Sequence, residues 1–446
     1  MTAARTDRWG VPLRTGNGAG VTHFDEAVEG LLSLNGDPVA SAEAAVSADD
    51  AMVLGHVLRA YLSLYRTCAA GVRSASEILA PLEGAGGAMG EREILHVRAA
   101  RSWASGDWDG AAHSLERALL HDSGDLLALK VAQDLDFFLG RSGDPHRVVT
   151  RIVRTWPMPR PGWGYVQGMH AFALEENGHY EQAEVCARAA LDHNRRDVWA
   201  SHALAHIFEM ESRVHEGVAF LSETVANWSD SFFAVHSWWH LALYHVERAE
   251  YDAALDLYDG AIRATRSAQW TDVVDAASLL WRLSLCGVDV GGRASILAAD
   301  VAALVDAPVY IFNDWHAVMA FGLAGHDDAS ERLLAGNRRD AVGTNRAVAT
   351  QAGLALLDGF SSFAAGRFDR AVDVLSDVRA YARAVGGSNA QRDIIELTLI
   401  AAAGRAGATA LARQFVDERI ARKPGAAPAA ERLLGANSVK SRASDD

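Results

Sequence analysis

Apolar residues in this chain recur at intervals of three and four, as at Leu115, Ala118 and Leu119 or at Ala254, Leu255 and Tyr258. Strand-type alternation is absent from most of its length, so the pattern predicts an all-α protein. The helical runs are punctuated by a repeated turn signature: a Gly or small residue, any residue, an aromatic, an acid, any residue, then Ala or Gly. It opens at Gly106 (GDWDGA), Gly178 (GHYEQA), Ala249 (AEYDAA) and Gly366 (GRFDRA), and the first three starts lie 72 and 71 residues apart. Weaker copies at RSGDPHRV from Arg141, ESRVHEGV from Glu211 and GHDDASE from Gly325 reduce the period to roughly 34–40 residues, the tetratricopeptide length.

The signature has a physical reading. The small residue ends a first helix, the aromatic packs back on it, and the Ala lets a second helix come close. Each unit is then a helical hairpin that buries its apolar face only by stacking on neighbours. The expected architecture is an α-α superhelix, a tetratricopeptide-like solenoid of about eight hairpins over residues 46–435. Residues 1–45 read as a partly helical cap with RTGNGAG as a loop, and residues 436–446 as a disordered polar tail.

Several strings are more specific than a repeat requires: REILHV (92–97), HALAHIFEM (202–210), HSWWHLALY (236–244), DVVD (272–275), FNDWH (312–316) and GGSNAQRD (386–393). In this order they resemble the tetratricopeptide repeat protein 38 family, from about residue 20 to about residue 435. The resemblance implies an all-helical repeat protein of cytosolic type and carries over no catalytic residue or cofactor. Trp315 stands where related sequences tend to have a smaller residue, which implies a more crowded setting for His316.

Composition narrows the functions. The net charge of −15, with lysine only at Lys130, Lys423 and Lys440, disfavours nucleic acid and anionic membrane as partners. Three cysteines, Cys68, Cys186 and Cys286, match neither a zinc knuckle nor a disulfide framework and read as small core residues. The opening MTAARTDRWG lacks a signal-peptide pattern and no window approaches a membrane span, so a cytoplasmic protein is expected. RTGNGAG lacks a following Gly-Lys-Ser/Thr, and no G-x-S-x-G elbow occurs; Ser388 reads as a helix N-cap.

The candidate chemistry lies on a polar stripe. With Leu204 and Leu241 as origin and about 100° per residue, His202, His206 and Glu209 fall near ~160°, ~200° and ~140°, and His236 and His240 near ~220° and ~260°. These five point away from the packed side, into a groove. Tyr165, Phe172 and Glu175 extend the stripe upstream, whereas His170 falls on the packed side. Downstream, Asp272 and Asp275 share a face, Asp314 and His316 sit on the next first helix, and Arg392 opens a later one. Trp239 also points to the groove.

His at i and i+4 on one helix is a chelating arrangement, and it occurs twice, in His202/His206 and His236/His240. No HExxH is present, so zincin chemistry is excluded. A mixed His/carboxylate site suits zinc, manganese or iron, a divalent transition metal as cofactor. The metal-free version uses a histidine as general base oriented by Glu209 or Asp272, with Arg392 clamping a substrate carboxylate. The expectation is a small-molecule site with His202, His206, Glu209, His236, His240 and Asp272 as catalytic groups, and Tyr165, Trp239, Asp275, Asp314, His316 and Arg392 contacting substrate. The alternative is a non-catalytic scaffold holding a partner protein segment in the groove. The sequence carries no signature of oligomeric state.

Overall fold

The structure, a computed structural model, describes residues 5–84, 89–142 and 148–442. Apart from a two-residue antiparallel pairing of Arg5–Thr6 with Pro12–Leu13, its regular elements are helices. The protein is all-α, as the periodicity predicts. Among the described residues no helix is long and apolar enough to cross a membrane.

The turn signature does what its chemistry requires. After the helix Glu91–Ala104, Gly106 adopts φ 86°, and the Asp107 N–H returns 2.8 Å to the Ser102 carbonyl, closing the helix end. The Asp107 carboxylate accepts from the Gly110 N–H at 2.9 Å and opens the next helix, Trp108–His121. Trp108 then meets Trp103 of the first helix edge to face at 6.0 Å. Phe368 repeats that contact with Phe363 at 5.5 Å, beyond the left-handed Gly366.

Left-handed residues recur in this role at Gly36, Thr67, Gly106, Gly140, Gly178, Ser212, Ala249, Gly287, Gly325, Gly366 and Gly407, which makes eleven helical hairpins among the described residues, ten of them within residues 46–435 where about eight are expected. The copy from Arg141 lies largely outside them, in residues 143–147. Close approach of successive units depends on small residues: a Cβ on Gly322 would stand 2.5 Å from the Ala364 Cβ.

Two boundaries differ from expectation. Asn17 caps a helix that begins at Gly18, inside RTGNGAG, and Gly18–Ser33 with Pro38–Ala48 already forms the first hairpin, so the cap is a repeat in its own right. At the other end the helix Ala427–Arg442 runs through most of the expected disordered tail. Fully buried Asn437 holds it, donating 3.0 Å to the Leu285 carbonyl. Residues 443–446 lie outside the described residues.

The contacts divide the chain into two compact units, Met1–Leu204 with Val225–Ala234, and Ala205–Thr224 with Val235–Asp446. The division falls inside a helix, so no linker marks it. Unit 1 is pinned by a buried network: Arg92 donates through Nε and Nη2 to Asp125 (2.7 and 3.0 Å) and through Nη2 to Asp7 (3.0 Å), while His96 Nε2 lies 3.0 Å from Asp125. Arg92 and His96 hold the Asp125 carboxyl far below its ordinary range despite its burial. Unit 2 packs around Trp281, Trp315 and Phe360, and the Trp281 indole donates to Thr398 at 3.0 Å.

A candidate histidine centre

Four helices carry most of the candidate groups: Val198–Met210, Ala234–Glu247, Trp270–Leu285 and Ile311–Leu323. Asp197 caps the first, accepting from the Ala200 N–H at 3.0 Å, and Ser212, at φ 56°, ends it. The first and second are locked by Tyr244, whose hydroxyl donates 2.6 Å to the Ala205 carbonyl.

In unit 2 the rings of His206 and His240 stand 4.7 Å apart, and those of His236 and His240 stand 4.8 Å apart. His202 lies one turn before His206 on the same continuous helix, which fixes their spacing. Within unit 2, one ring nitrogen from each of His206, His236 and His240 lies within 4.8 Å of the others. The groups are not groove-exposed as the stripe alone would suggest: His206 and His240 are sealed from solvent, and His202 and His236 are only 5% and 8% exposed.

Carboxylates back two of the rings. His236 Nδ1 lies 2.9 Å from Asp275 Oδ2, and His240 Nδ1 lies 3.1 Å from Glu209 Oε2. An ionised carboxylate only accepts, so each Nδ1 carries the proton and each Nε2 keeps its lone pair. Burial holds the His240 imidazole well below its ordinary pKa, in the neutral form, and the neighbouring His206 and His236 add to the effect. Trp239, fully buried, stacks on His236 at 5.0 Å and meets His240 edge-on at 4.8 Å. In unit 1, Phe172 stacks on His202 at 5.6 Å.

The other sequence-predicted residues are placed as follows. Asp272, half-buried and one turn before Asp275, has its carboxyl raised by burial, with the Asp275 charge adding to that. His316 is sealed and accepts or donates at Nδ1 to no side chain; that nitrogen faces the Phe312 carbonyl at 2.8 Å, and burial pushes the ring down to about 3. Trp315 crowds it at 4.9 Å.

Three residues are held by partners outside the cluster. Tyr165 gives its hydroxyl to Glu29 at 2.9 Å. Asp314 accepts from Asn337 at 3.0 Å, on the second helix of its own hairpin. Arg392 spans its own loop, donating to the Gly386 carbonyl at 3.2 Å and to Asn389 at 2.8 Å. The neighbouring Asp393 pairs with Arg419 at 2.9 Å. His170 faces Cys186 at 3.6 Å, on the packed side as its phase requires. Ser388 is the expected N-cap, sharing a capping box with Gln391.

Sequence reasoning passed over Arg282. It is 4% exposed and lies seven positions after Asp275, two helical turns along the same face. Its guanidinium carbon stands 5.4 Å from the centre of the Trp239 ring. That register to Asp275 is the signal that could have revealed it.

No family model matches the chain. Among solved structures it is similar to the yeast Tom70, at 12% identity over 96% of this chain and 97% of that one, with a TM-score of 0.34. It is also similar to the APC/C hetero-tetramer Cut9-Hcn1, at 12% identity over 94% and 96%, with a TM-score of 0.32. At such scores the hairpin architecture rests on the helices and turns themselves.

Proposed function

We propose that His206, His236 and His240 of unit 2 hold one divalent transition-metal ion, and that the centre performs metal-assisted acid–base chemistry on a small molecule. The observation that carries this reading is the convergence of three buried imidazole nitrogens within 4.8 Å, two of them on rings backed by carboxylates. Three protein ligands leave the fourth position of a tetrahedral ion to water or substrate. Neutral imidazoles without thiolates suit zinc, manganese, iron, nickel or copper.

The carboxylates of Asp275 and Glu209 orient the rings and raise their basicity as ligands. Asp272, with its raised carboxyl, is the group suited to carry a proton to or from a bound molecule. The resemblance to the tetratricopeptide repeat protein 38 family belongs to this reading as a scaffold and contributes no functional residue. Burial of all four histidines weighs against the alternative of an open trough for a protein segment.

The test is the metal content of full-length protein after reconstitution with zinc, manganese or iron(II). About one equivalent per chain is expected, falling below a tenth in His206→Ala and His240→Ala. Wild-type protein that retains none of these ions after desalting would reject the reading.

A further inference from the structure

Arg282 is a buried cation without a buried anion of its own. Its Nη1 donates to the Ser278 hydroxyl, and to the Ser278 carbonyl at 3.5 Å; its Nη2 donates to the Ala390 carbonyl at 2.8 Å. None of these acceptors is charged. No carboxylate among the described residues forms an ion pair with it. Asp275 is taken by His236, Glu209 by His240, and Asp393 by Arg419.

A guanidinium stripped of water with no carboxylate hydrogen-bonded to it is costly, and burial holds Arg282 below its ordinary pKa although the charges of Asp393, Glu209 and Asp275 oppose the shift. The same chain shows the usual remedy at Arg92, whose Nε and Nη2 grip Asp125 as a fork. On Arg282 the equivalent fork is open: Nε–H has no acceptor among the described residues, and Nη2 spends one of its two hydrogens on Ala390. The ring of Trp239 stands 5.4 Å from this guanidinium and 4.8–5.0 Å from His240 and His236.

We propose that Arg282 is the anion-recognising residue of the histidine centre, and that the small molecule acted on there carries a carboxylate. The inference rests on the reading of the centre given above and names the substrate class. A carboxylate matches the single charge of the guanidinium and the two parallel donors of the fork.

The experiment titrates full-length protein, metal-reconstituted and chelator-treated in parallel, with acetate, acetamide and inorganic phosphate, read by tryptophan fluorescence. Metal content is measured on the same samples. In wild type, acetate should give a saturable change that acetamide does not, and Arg282→Gln should weaken it on the order of tenfold or more without loss of metal. Arg282→Lys keeps the charge but not the fork, guards against a folding defect, and should bind acetate several-fold more weakly than wild type. An equal acetate response in wild type and both variants, an equal response to acetamide, or metal-loaded protein with no acetate response would overturn the proposal. Absence of metal with an Arg282-dependent acetate response would instead remove the metal reading and leave the anion site standing. Preference for phosphate over acetate would overturn the carboxylate assignment.

Discussion

His236 and Asp275, separated by 39 positions and by the turn between two hairpins, meet with Nδ1 2.9 Å from Oδ2 in an interior where the carboxylate is 1% exposed. Asp275→Asn keeps the shape and removes the charge that sets the ring's tautomer. It should lower metal affinity about 10–100-fold, measured by competition with a chromophoric chelator, while the far-ultraviolet dichroism stays that of wild type. Unchanged affinity would mean that Asp275 is only a packing partner.

The Arg92 network makes a stability prediction. Arg92→Leu leaves Asp7 and Asp125 buried without their cation and should cost on the order of 3–5 kcal/mol, read as a lowered urea midpoint. Because Arg92 also donates 3.0 Å to the Pro12 carbonyl, backbone amides near residues 5–13 should lose hydrogen-exchange protection first.

Asp314 makes a pH prediction. Burial raises its carboxyl from 3.8 to about 7, and the charge of Asp306 adds to this against the Asn337 hydrogen bond. The folded state therefore holds the proton more tightly than the unfolded state. Stability from this group is fully present below about pH 4, falls as pH rises toward 7, and is constant above. Asp314→Asn, which keeps an acceptor for Asn337, should match wild type near pH 4 and exceed it by on the order of 2–4 kcal/mol at pH 8. Parallel denaturation curves for the two proteins across that window would contradict this.

Ala249 occupies the left-handed position of its turn at φ 60°, where the equivalent residue at Gly106 has no Cβ to strain. Ala249→Gly should leave stability unchanged or raise it by up to about 1 kcal/mol, and Gly106→Ala should lower it by about 1–2 kcal/mol. Thermal midpoints of the two variants check both signs.

These turns also show what the sequence could disclose. Gly106, Gly178 and Gly366 were legible because glycine, aromatic and acid mark one helix end and the next helix start together. Gly287 and Gly407 were not, since CGVDV and AGATA lack the aromatic that packs back, and the hairpin count was low for that reason. Helical phase brought His202, His206, His236 and His240 to one stripe, but it describes direction and not depth, so their burial was invisible.

Arg392 read as a clamp because its charge opens a helix, yet the two glycines before it release carbonyls that the guanidinium satisfies. Asp314 read as a groove residue because its own helix gives no sign of Asn337 on the next. Arg282 was hidden for the opposite reason. In WRLSL it resembles any helix-end arginine, and only its two-turn register to Asp275 distinguishes it.

The central claim, that the imidazoles of His206, His236 and His240 form one metal centre, is tested most directly by optical titration of full-length protein with cobalt(II). The account predicts visible ligand-field bands that saturate at one ion per chain, disappear on addition of zinc, and are absent in folded His240→Ala. A cobalt spectrum indistinguishable from the hydrated ion, in protein whose fold is intact, would contradict it.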